Sequence, residues 1–257
     1  MPQIILSPRV TEDRKRLADE AMQQGWSVCQ LDGWRISPDL CIEDEVAIYG
    51  EPLFCRIVAA QIGRVLLEPP LDWLVGLPDE VTSRKIQFIP LSELSQVALP
   101  AFIKPPDDKI FTAGVYQDLD AILTREDLEP TQQVLVSEVI DFEKEFRIHL
   151  LDGEPVSGSR YSVYGDLDID GEDSDIARAL VFATEVYQAS NGNTPPAVVI
   201  DVGLTRSGAW AVVEANPCFG AGIYAGNETE ILRVLLRACS SAEDVVNSKF
   251  YFPLELE

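Results

Sequence analysis

A pair of apolar segments near the C-terminus, joined by a short turn, restricts the fold of this chain more than any other feature. Residues 197–203 and 209–214 are apolar apart from one carboxylate in each, and Ser207-Gly208 lies between them. This pattern predicts two antiparallel strands connected by a two-residue turn. In that register Asp201 lies directly opposite Glu214 on the neighbouring strand.

The polar residues of this hairpin form a candidate metal site. Two carboxylates that face each other across adjacent strands repel unless a cation lies between them. Side chains alternate along a strand, so Asn216 lies on the same face as Glu214. Asp201, Glu214 and Asn216 therefore offer hard oxygen ligands, which Mg²⁺ prefers together with substrate phosphates and water. The alternative is a polar hairpin edge that faces solvent.

A second hairpin is predicted where Asp152-Gly153 separates two strand-like segments, residues 146–151 and 155–161. A two-residue turn at this place sets Glu145 opposite Arg160, so that a carboxylate and a guanidinium face each other across the strands.

The strand that contains Glu145 has one polar and one apolar face. Arg147 and His149 share the face of Glu145, because side chains alternate along a strand. The residues between them are apolar and are predicted to form core: Phe146, Ile148 and Leu150. The polar face is either a binding strip or an ordinary exposed face of an antiparallel sheet. For His149 the alternatives are a substrate or phosphate contact and a histidine whose hydrogen bonds a neighbour satisfies.

The first 98 residues alternate strand and helix patterns, which predicts a small α/β unit with a parallel sheet. No G-x-G-x-x-G follows the first strand, and G-x-x-x-x-G-K-[ST] is absent, so a common dinucleotide or P-loop site is not predicted. From about residue 99 the pattern changes to paired strands. Lys104 ends one of them and precedes a loop that contains Lys109. Such a lysine either holds a phosphate as a point charge or is simply solvated.

The composition excludes two classes of partner. The 257 residues contain 20 Lys and Arg against 43 Asp and Glu, a net charge of −23. This charge argues against nucleic acid and against anionic membranes, and it favours either a basic partner or merely a solvated acidic surface. No secretory signal or membrane-spanning run is predicted. Five cysteines without a C-x-x-C pair indicate reduced thiols in a cytoplasmic protein.

Residues 166–175 form an acidic segment that imitates the start of a calcium-binding loop. Asp173 and Ala177 stand where that loop needs an apolar residue and a glutamate. An acidic solvated loop, with a possible role in binding a basic substrate, is the prediction.

Three stretches of the chain resemble the ATP-grasp superfamily. They are residues 102–105 (Phe-Ile-Lys-Pro), which resemble a strand with a phosphate-binding lysine, residues 136–140 followed by Glu145-Phe146-Arg147, which resemble the adenine hinge and the next strand, and Asp201 with residues 213–217 (Val-Glu-Ala-Asn-Pro), which resemble the Mg²⁺ motif. The resemblance covers roughly residues 80 to 225. Within the superfamily, Trp73, Arg84 and residues 107–111 are similar to a divergent clade that includes bacterial and phage proteins of unknown substrate and a eukaryotic assembly factor for a translation-initiation complex.

The resemblance implies ATP and Mg²⁺ as cofactors and a role for each matching residue. Lys104 would contact phosphates, Glu138, Val139 and Ile140 would hold adenine, Glu145 would bind ribose, Arg147, with Arg160 and Lys109, would act on the transferred phosphoryl group, and Asp201, Glu214 and Asn216 would ligate Mg²⁺.

The implied architecture is an α/β fold of the ATP-grasp type, with some α+β character. Residues 1–98 would form a small N-terminal α/β domain, residues 99–165 a lid or central subdomain, and residues 166–257 a C-terminal subdomain with the metal site. The last two would hold ATP between them. The boundaries come from the change in strand and helix patterns along the chain.

The implied activity is an ATP- and Mg²⁺-dependent ligation of a carboxylate and an amine through an acylphosphate. The substrate would be a small molecule, a peptide or a protein, and a basic one would suit the charge of the chain. No protein nucleophile is needed, which agrees with the single histidine in the sequence. The alternative is an ATP-binding assembly factor for a protein partner, with little or no catalysis.

Overall fold

A computed structural model describes residues 1–106, 110–169, 173–241 and 249–251. The predicted loop residue Lys109 lies outside the described residues. The described chain mixes helices and strands, as the α/β prediction requires. None of its helices combines the length and the apolar character that a membrane crossing needs.

The N-terminal unit, residues 1–66, is a parallel sheet with helices. Its elements are β1 (Gln3–Leu6), α1 (Glu12–Gln23), β2 (Ser27–Gln30), β3 (Val46–Tyr49), α2 (Pro52–Gln61) and β4 (Arg64–Leu66). Strands β2, β1 and β3 pair in parallel in this order, so the predicted parallel sheet is confirmed. The Thr11 hydroxyl caps α1 by accepting a hydrogen bond from the Arg14 amide.

The middle of the chain forms a four-stranded antiparallel sheet, ordered β5-β8-β6-β7. Its elements are α3 (Asp79–Thr82), β5 (Ile86–Pro90), β6 (Ala101–Lys104), β7 (Gly114–Tyr116), α4 (Asp120–Leu123) and β8 (Gln133–Ser137). Ile103 and Val136 are buried in the core of this sheet. Because side chains alternate along a strand, Phe102 and Lys104 point to the opposite face.

The remaining chain forms a five-stranded antiparallel sheet, ordered β11-β10-β9-β12-β13. Its elements are β9 (Phe142–Leu151), β10 (Glu154–Val163), β11 (Asp166–Leu167), α5 (Ile176–Ala189), β12 (Ala197–Thr205), β13 (Trp210–Asn216), α6 (Glu228–Ala238) and β14 (Cys239–Ser241). Strand β14 leaves this sheet and pairs with β4 of the N-terminal unit.

Both faces of the five-stranded sheet are covered by apolar contacts. Phe146, Ile148 and Leu150 pack with residues of α5 on one face, which confirms the predicted core. On the other face Ala197 and Val199 pack with α6 and the N-terminal sheet. A buried antiparallel sheet needs apolar residues on both sides, and β12 has them at successive positions.

The hairpin between β9 and β10 corrects one sequence prediction. Asp152 and Gly153 both have positive φ (50° and 89°), as the predicted two-residue turn requires. Two β-bulges in β10, between Pro155 and Ser157 and between Arg160 and Ser162, then shift the register. Glu145 therefore faces Ser162, and the predicted pairing of Glu145 with Arg160 is wrong.

Candidate functional site

The C-terminal hairpin brings its two carboxylates together as predicted. Asp201 lies directly opposite Glu214. The structure reaches this register by two compensating features. The connection after β12 is longer than two residues, since Leu204 pairs with Trp210, and a bulge at Val213 restores the expected alignment.

Asp201, Glu214 and Asn216 form one hydrogen-bonded cluster. The Asn216 amide donates to Asp201 Oδ2 at 3.2 Å and to Glu214 Oε1 at 3.0 Å. The Lys104 ammonium lies 2.5 Å from Glu214 Oε2. Arg147 donates to both oxygens of Asp201, with Nε–Oδ1 at 2.9 Å and Nη2–Oδ2 at 2.7 Å. Each carboxylate of the cluster is therefore neutralised by its own cation.

The two ion pairs differ in their access to solvent. The Asp201 carboxylate is fully buried and Arg147 is nearly so, whereas a third of the Glu214 side chain is exposed. Burial alone lowers the pKa of the Arg147 guanidinium, but the Asp201 carboxylate outweighs it and the pKa lies above its usual value. Partial burial likewise raises the pKa of Glu214, but Lys104 and Asn216 outweigh it and the pKa lies below its usual value.

The chemistry of this donor set fits a hard divalent cation. It consists of two carboxylates and one amide, all on adjacent strands and within hydrogen-bond distance of each other. Among the described residues no group of three or more His, Cys, Asp and Glu side chains is arranged for a metal ion. A metal here would thus depend on the amide oxygen of Asn216 and on ligands from outside the protein.

Arg147 joins the cluster, but its guanidinium is already bound on several sides. Besides Asp201 it donates to the Gly222 carbonyl oxygen at 3.2 Å. Its Cζ also lies 5.5 Å from the ring centre of Tyr161 and 4.9 Å from that of Tyr224. The phosphoryl contact that the resemblance implied for Arg147 therefore competes with these partners.

Arg160 does not reach the cluster. It lies opposite Phe146, on the face of the sheet that packs with α5. Its guanidinium forms ion pairs with Asp168 Oδ1 at 2.5 Å and with Asp173 Oδ2 at 2.9 Å. The bulges in β10 cause this displacement, and they correct the predicted position of Arg160 near the phosphoryl group. Asp173 also pairs with Lys144, so this part of the acidic segment is tied to the sheet and is not a solvated loop.

A cavity of about 230 Å³ lies between the four-stranded and five-stranded sheets. Its walls include four of the predicted nucleotide-binding residues: Lys104, Val139, Ile140 and Glu145. Glu138 is exposed, and its carboxylate accepts a hydrogen bond from the Lys85 amide at 2.9 Å. The apolar side chain of Phe102 completes the wall opposite the hinge. A flat apolar ring with a polar edge is the kind of group that such a cleft accepts.

Two tyrosines that the sequence did not suggest hold this site together. Tyr161 Oη donates to Glu145 Oε2 at 2.6 Å, and Ser162 Oγ donates to the other oxygen at 3.3 Å. The Tyr161 ring stacks on Tyr224 with a centroid distance of 5.1 Å. Tyr161 is the extra residue of the second bulge in β10, and no sequence signal reveals that position.

Arg84 has a structural role that was not predicted. Its guanidinium donates to the carbonyl oxygens of Val212 and Val213 at 2.7 and 3.2 Å, and to Ser137 Oγ at 3.3 Å. It therefore joins the bulge that aligns Glu214 to strand β8 of the other sheet. Burial lowers the pKa of Arg84 to about 10.

A larger cavity of about 1060 Å³ adjoins the first one at Lys104 and Glu214. The N-terminal part of the chain contributes Pro69, Pro70 and Leu71 to its wall, and Asn216 and Pro217 lie at the cluster end. The cluster thus stands at the junction of a small apolar cleft and a wide, proline-lined chamber.

The chain matches the model of an ATP-grasp domain family, the second family of its clade, over residues 81–234. The match covers more than half of the sequence and includes the cluster and the walls of the smaller cavity. No curated protein matches the chain.

Solved structures of similar fold cover nearly the whole chain. A RimK domain protein of ATP-grasp type from Sphaerobacter thermophilus DSM 20745 has a TM-score of 0.58 at 15% identity, over 93% of this chain and 96% of that one. D-alanine–D-alanine ligase from Bacillus anthracis, in complex with ATP, has a TM-score of 0.53 at 12% identity, over 92% and 95%. The ATP-grasp ligase PsnB with a minimal precursor has a TM-score of 0.54 at 11% identity, over 91% and 97%. At these identities the likeness shows the fold alone.

Proposed function

Because this chain belongs to a family of ATP-grasp domains, we propose that it is an ATP-dependent ligase that joins a carboxylate to an amine. Its membership confirms the ATP-grasp resemblance and the predicted ATP-grasp fold. The observation that carries the proposal is the position of Lys104 and Glu214, 2.5 Å apart, where the small cleft opens into the large chamber.

The small cleft is the proposed nucleotide site. Adenine would lie against Val139 and Ile140, and ribose would contact Glu145, whose carboxylate Tyr161 holds in place. The phosphates would then extend toward Lys104, whose ammonium stands at the wall of both cavities.

The cluster is the proposed metal site, held by Asp201, Glu214 and Asn216. When bound, Mg²⁺ would bridge phosphate oxygens and offset the charge that develops on the transferred group. Within the protein, Arg147 holds Asp201 in its orientation through two hydrogen bonds, and Lys104 offers a positive charge beside Glu214.

The proposed reaction has two steps. A substrate carboxylate attacks the γ-phosphate of ATP, which gives an acylphosphate and ADP. An amine then attacks the acyl carbon, an amide forms, inorganic phosphate leaves, and the amine loses a proton. No protein nucleophile takes part, and the only histidine, His149, is 1% exposed and too deeply buried to transfer that proton.

The large chamber is the proposed acceptor site, and a peptide or protein segment suits it best. Its volume of about 1060 Å³ lies at the upper end of the range for small-molecule pockets, even though the phosphates would occupy part of it. Prolines 69 and 70 and Leu71 give it an apolar wall. The net charge of −23 favours a basic acceptor through long-range attraction.

One observation favours a second candidate function, an assembly factor that binds nucleotide with little turnover. Asp201 is buried and both of its oxygens are bound by Arg147, which leaves Glu214 as the more accessible carboxylate of the cluster. A site of this kind can bind Mg²⁺ and nucleotide without being poised for transfer. ADP release that depends on an added acceptor separates the two functions.

Calorimetric titration with a non-hydrolysable ATP analogue, with and without Mg²⁺, tests the nucleotide site. We expect binding that strengthens when Mg²⁺ is present. Glu185→Gln is the control variant, since this exposed residue of α5 pairs with Arg178 on the opposite face of the sheet. Absence of binding under both conditions would contradict the proposal.

The acceptor site is tested separately, by ADP release with ATP and pools of free amino acids or of basic peptides. Stimulation by peptides supports the ligase with a peptide acceptor. Stimulation by free amino acids alone contradicts the peptide assignment, and nucleotide binding without any stimulation favours the assembly factor.

A further inference from the structure

We propose that Asp13, in the first turn of α1, is a positioning residue for the metal site. It fixes the loop formed by residues 221–226, and this loop in turn holds Arg147 against Asp201. The inference rests on the proposed function, because only there does Asp201 act as a metal ligand. It gives the N-terminal unit a part in the site that the predicted roles do not include.

The first link joins α1 to the loop. Asp13 Oδ2 accepts a hydrogen bond from the Ile223 amide at 3.0 Å. Tyr49 Oη lies 3.4 Å from the same oxygen and donates to the Ala221 carbonyl oxygen at 3.1 Å. The loop is thereby held on its N-terminal side by two side chains of the N-terminal unit.

The same helix also holds the other side of the loop. Arg16 donates to the Tyr224 carbonyl oxygen and, at 3.1 Å, to the Gly226 carbonyl oxygen. Its Nε donates to Glu228 at 2.6 Å. Tyr224 has a positive φ of 46°, which is unfavourable for a tyrosine and persists only where surrounding contacts impose it. The contacts with α1 are such contacts.

The second link joins the loop to the cluster. The Gly222 carbonyl oxygen accepts from Arg147 Nη1 at 3.2 Å, and the Tyr224 ring lies against the same guanidinium. A methyl group placed on Gly222 would lie 3.4 Å from Asp13 Oδ2 and 3.7 Å from Arg147 Nη1. The carboxylate and the guanidinium therefore converge on one residue of the loop.

The last link is the pair of hydrogen bonds from Arg147 to Asp201. Arg147 is 9% exposed and Asp201 is fully buried, so water does not readily replace a lost loop contact. If the loop shifts, Arg147 loses the Gly222 oxygen and the Tyr224 ring together. The orientation of the Asp201 carboxylate then changes, although Asp13 itself touches neither nucleotide nor metal in this scheme.

Three variants test the inference. Asp13→Ala removes the acceptor for the Ile223 amide. Asp13→Asn removes the charge from the helix terminus but keeps an oxygen that can accept this hydrogen bond. Asp19→Ala is the matched control, since it removes an exposed carboxylate from the same helix.

Two measurements are made on the full chain: hydrogen exchange of the segment that contains Ile223, and the Mg²⁺ dependence of binding of a non-hydrolysable ATP analogue. In Asp13→Ala we expect faster exchange in this segment and an apparent Mg²⁺ affinity that is weaker by about 3- to 10-fold, the low end for residues behind a ligand. Asp13→Asn should recover most of both effects, and Asp19→Ala should change neither.

Each other outcome overturns a specific part. Unchanged exchange in Asp13→Ala would show that Asp13 does not hold the loop. Faster exchange with unchanged Mg²⁺ dependence would show that the loop does not position Asp201. Wild-type protein that binds no nucleotide would refute the proposed function, which is a different result. If Asp13→Ala does not fold, Tyr49→Phe removes the neighbouring hydrogen bond to Ala221 and takes its place.

Discussion

Replacing His149 with leucine should remove acid sensitivity from the fold without loss of stability at neutral pH. His149 lies between Ser157 and Val199 on the neighbouring strands and is 1% exposed. Within the described residues neither ring nitrogen has a hydrogen-bond partner, so both alternatives suggested by the sequence are wrong. Burial, and then the positive charge of Arg147, lower the pKa of His149 from 6.5 to about 3.

The magnitude follows from linkage between protonation and folding. Between pH 3 and pH 6.5 the unfolded chain binds this proton and the folded chain does not, so the free energy of unfolding falls as the pH falls through this window. From pH 7 to pH 5 the loss amounts to about 2 kcal/mol, at 1.36 kcal/mol per pH unit below the pKa of the unfolded histidine. Above pH 6.5 both states are neutral at this residue, and no stability is lost.

Urea unfolding of the wild type and of His149→Leu at pH 5, 6 and 7 measures the difference. Since the chain has one histidine, the difference between the two proteins isolates this group from the carboxylates. Leucine has a similar volume and leaves no buried polar atom unpaired, so stability at pH 7 should be equal or higher. Parallel pH profiles for the two proteins would refute the reasoning.

Three further variants test the assigned roles. Glu214→Ala should abolish the Mg²⁺ dependence of nucleotide binding in calorimetry, and an unchanged dependence in a folded variant would contradict the metal assignment. Lys104→Met should weaken binding of the ATP analogue by about 10- to 100-fold, the worth of one charged hydrogen bond, whereas Lys85→Met, at an exposed position, should not. Arg160→Met should lower the free energy of unfolding by about 2 kcal/mol, because it leaves the buried Asp173 with one cation fewer, and should leave nucleotide affinity unchanged; a large loss of affinity would return Arg160 to the site.

The local geometry of the site could be predicted from the sequence because it depends on strand alternation. Asp201, Glu214 and Asn216 lie on two strands joined by a short connection, so their approach follows from the period of the side chains. The same reasoning failed for Arg160. A bulge adds one residue to a strand without any required residue type, and each bulge in β10 changed the partner of every later position.

The long-range contacts could not be predicted for a different reason. Asp13 and Ile223 are separated by 210 positions, and nothing in the pattern around either residue indicates the other. Their contact depends on how α1 packs beside α6, and that packing is the sum of many apolar contacts in a shared core. A sequence pattern reports the face of each helix but not its neighbour.

The charges of the cluster explain why nucleotide and metal should bind together under the proposed function. The Arg147–Asp201 pair is neutral, fixed and buried, so Glu214 is the carboxylate whose partner can change. Its partner is Lys104, the same ammonium that would contact the phosphates. When phosphates draw Lys104 toward them, Glu214 loses its compensating charge, and a divalent cation restores it. By linkage the converse holds as well, because a metal on Glu214 releases Lys104 for the phosphates. One ion pair thus couples the two ligands, and the exposed third of the Glu214 side chain leaves room for the exchange.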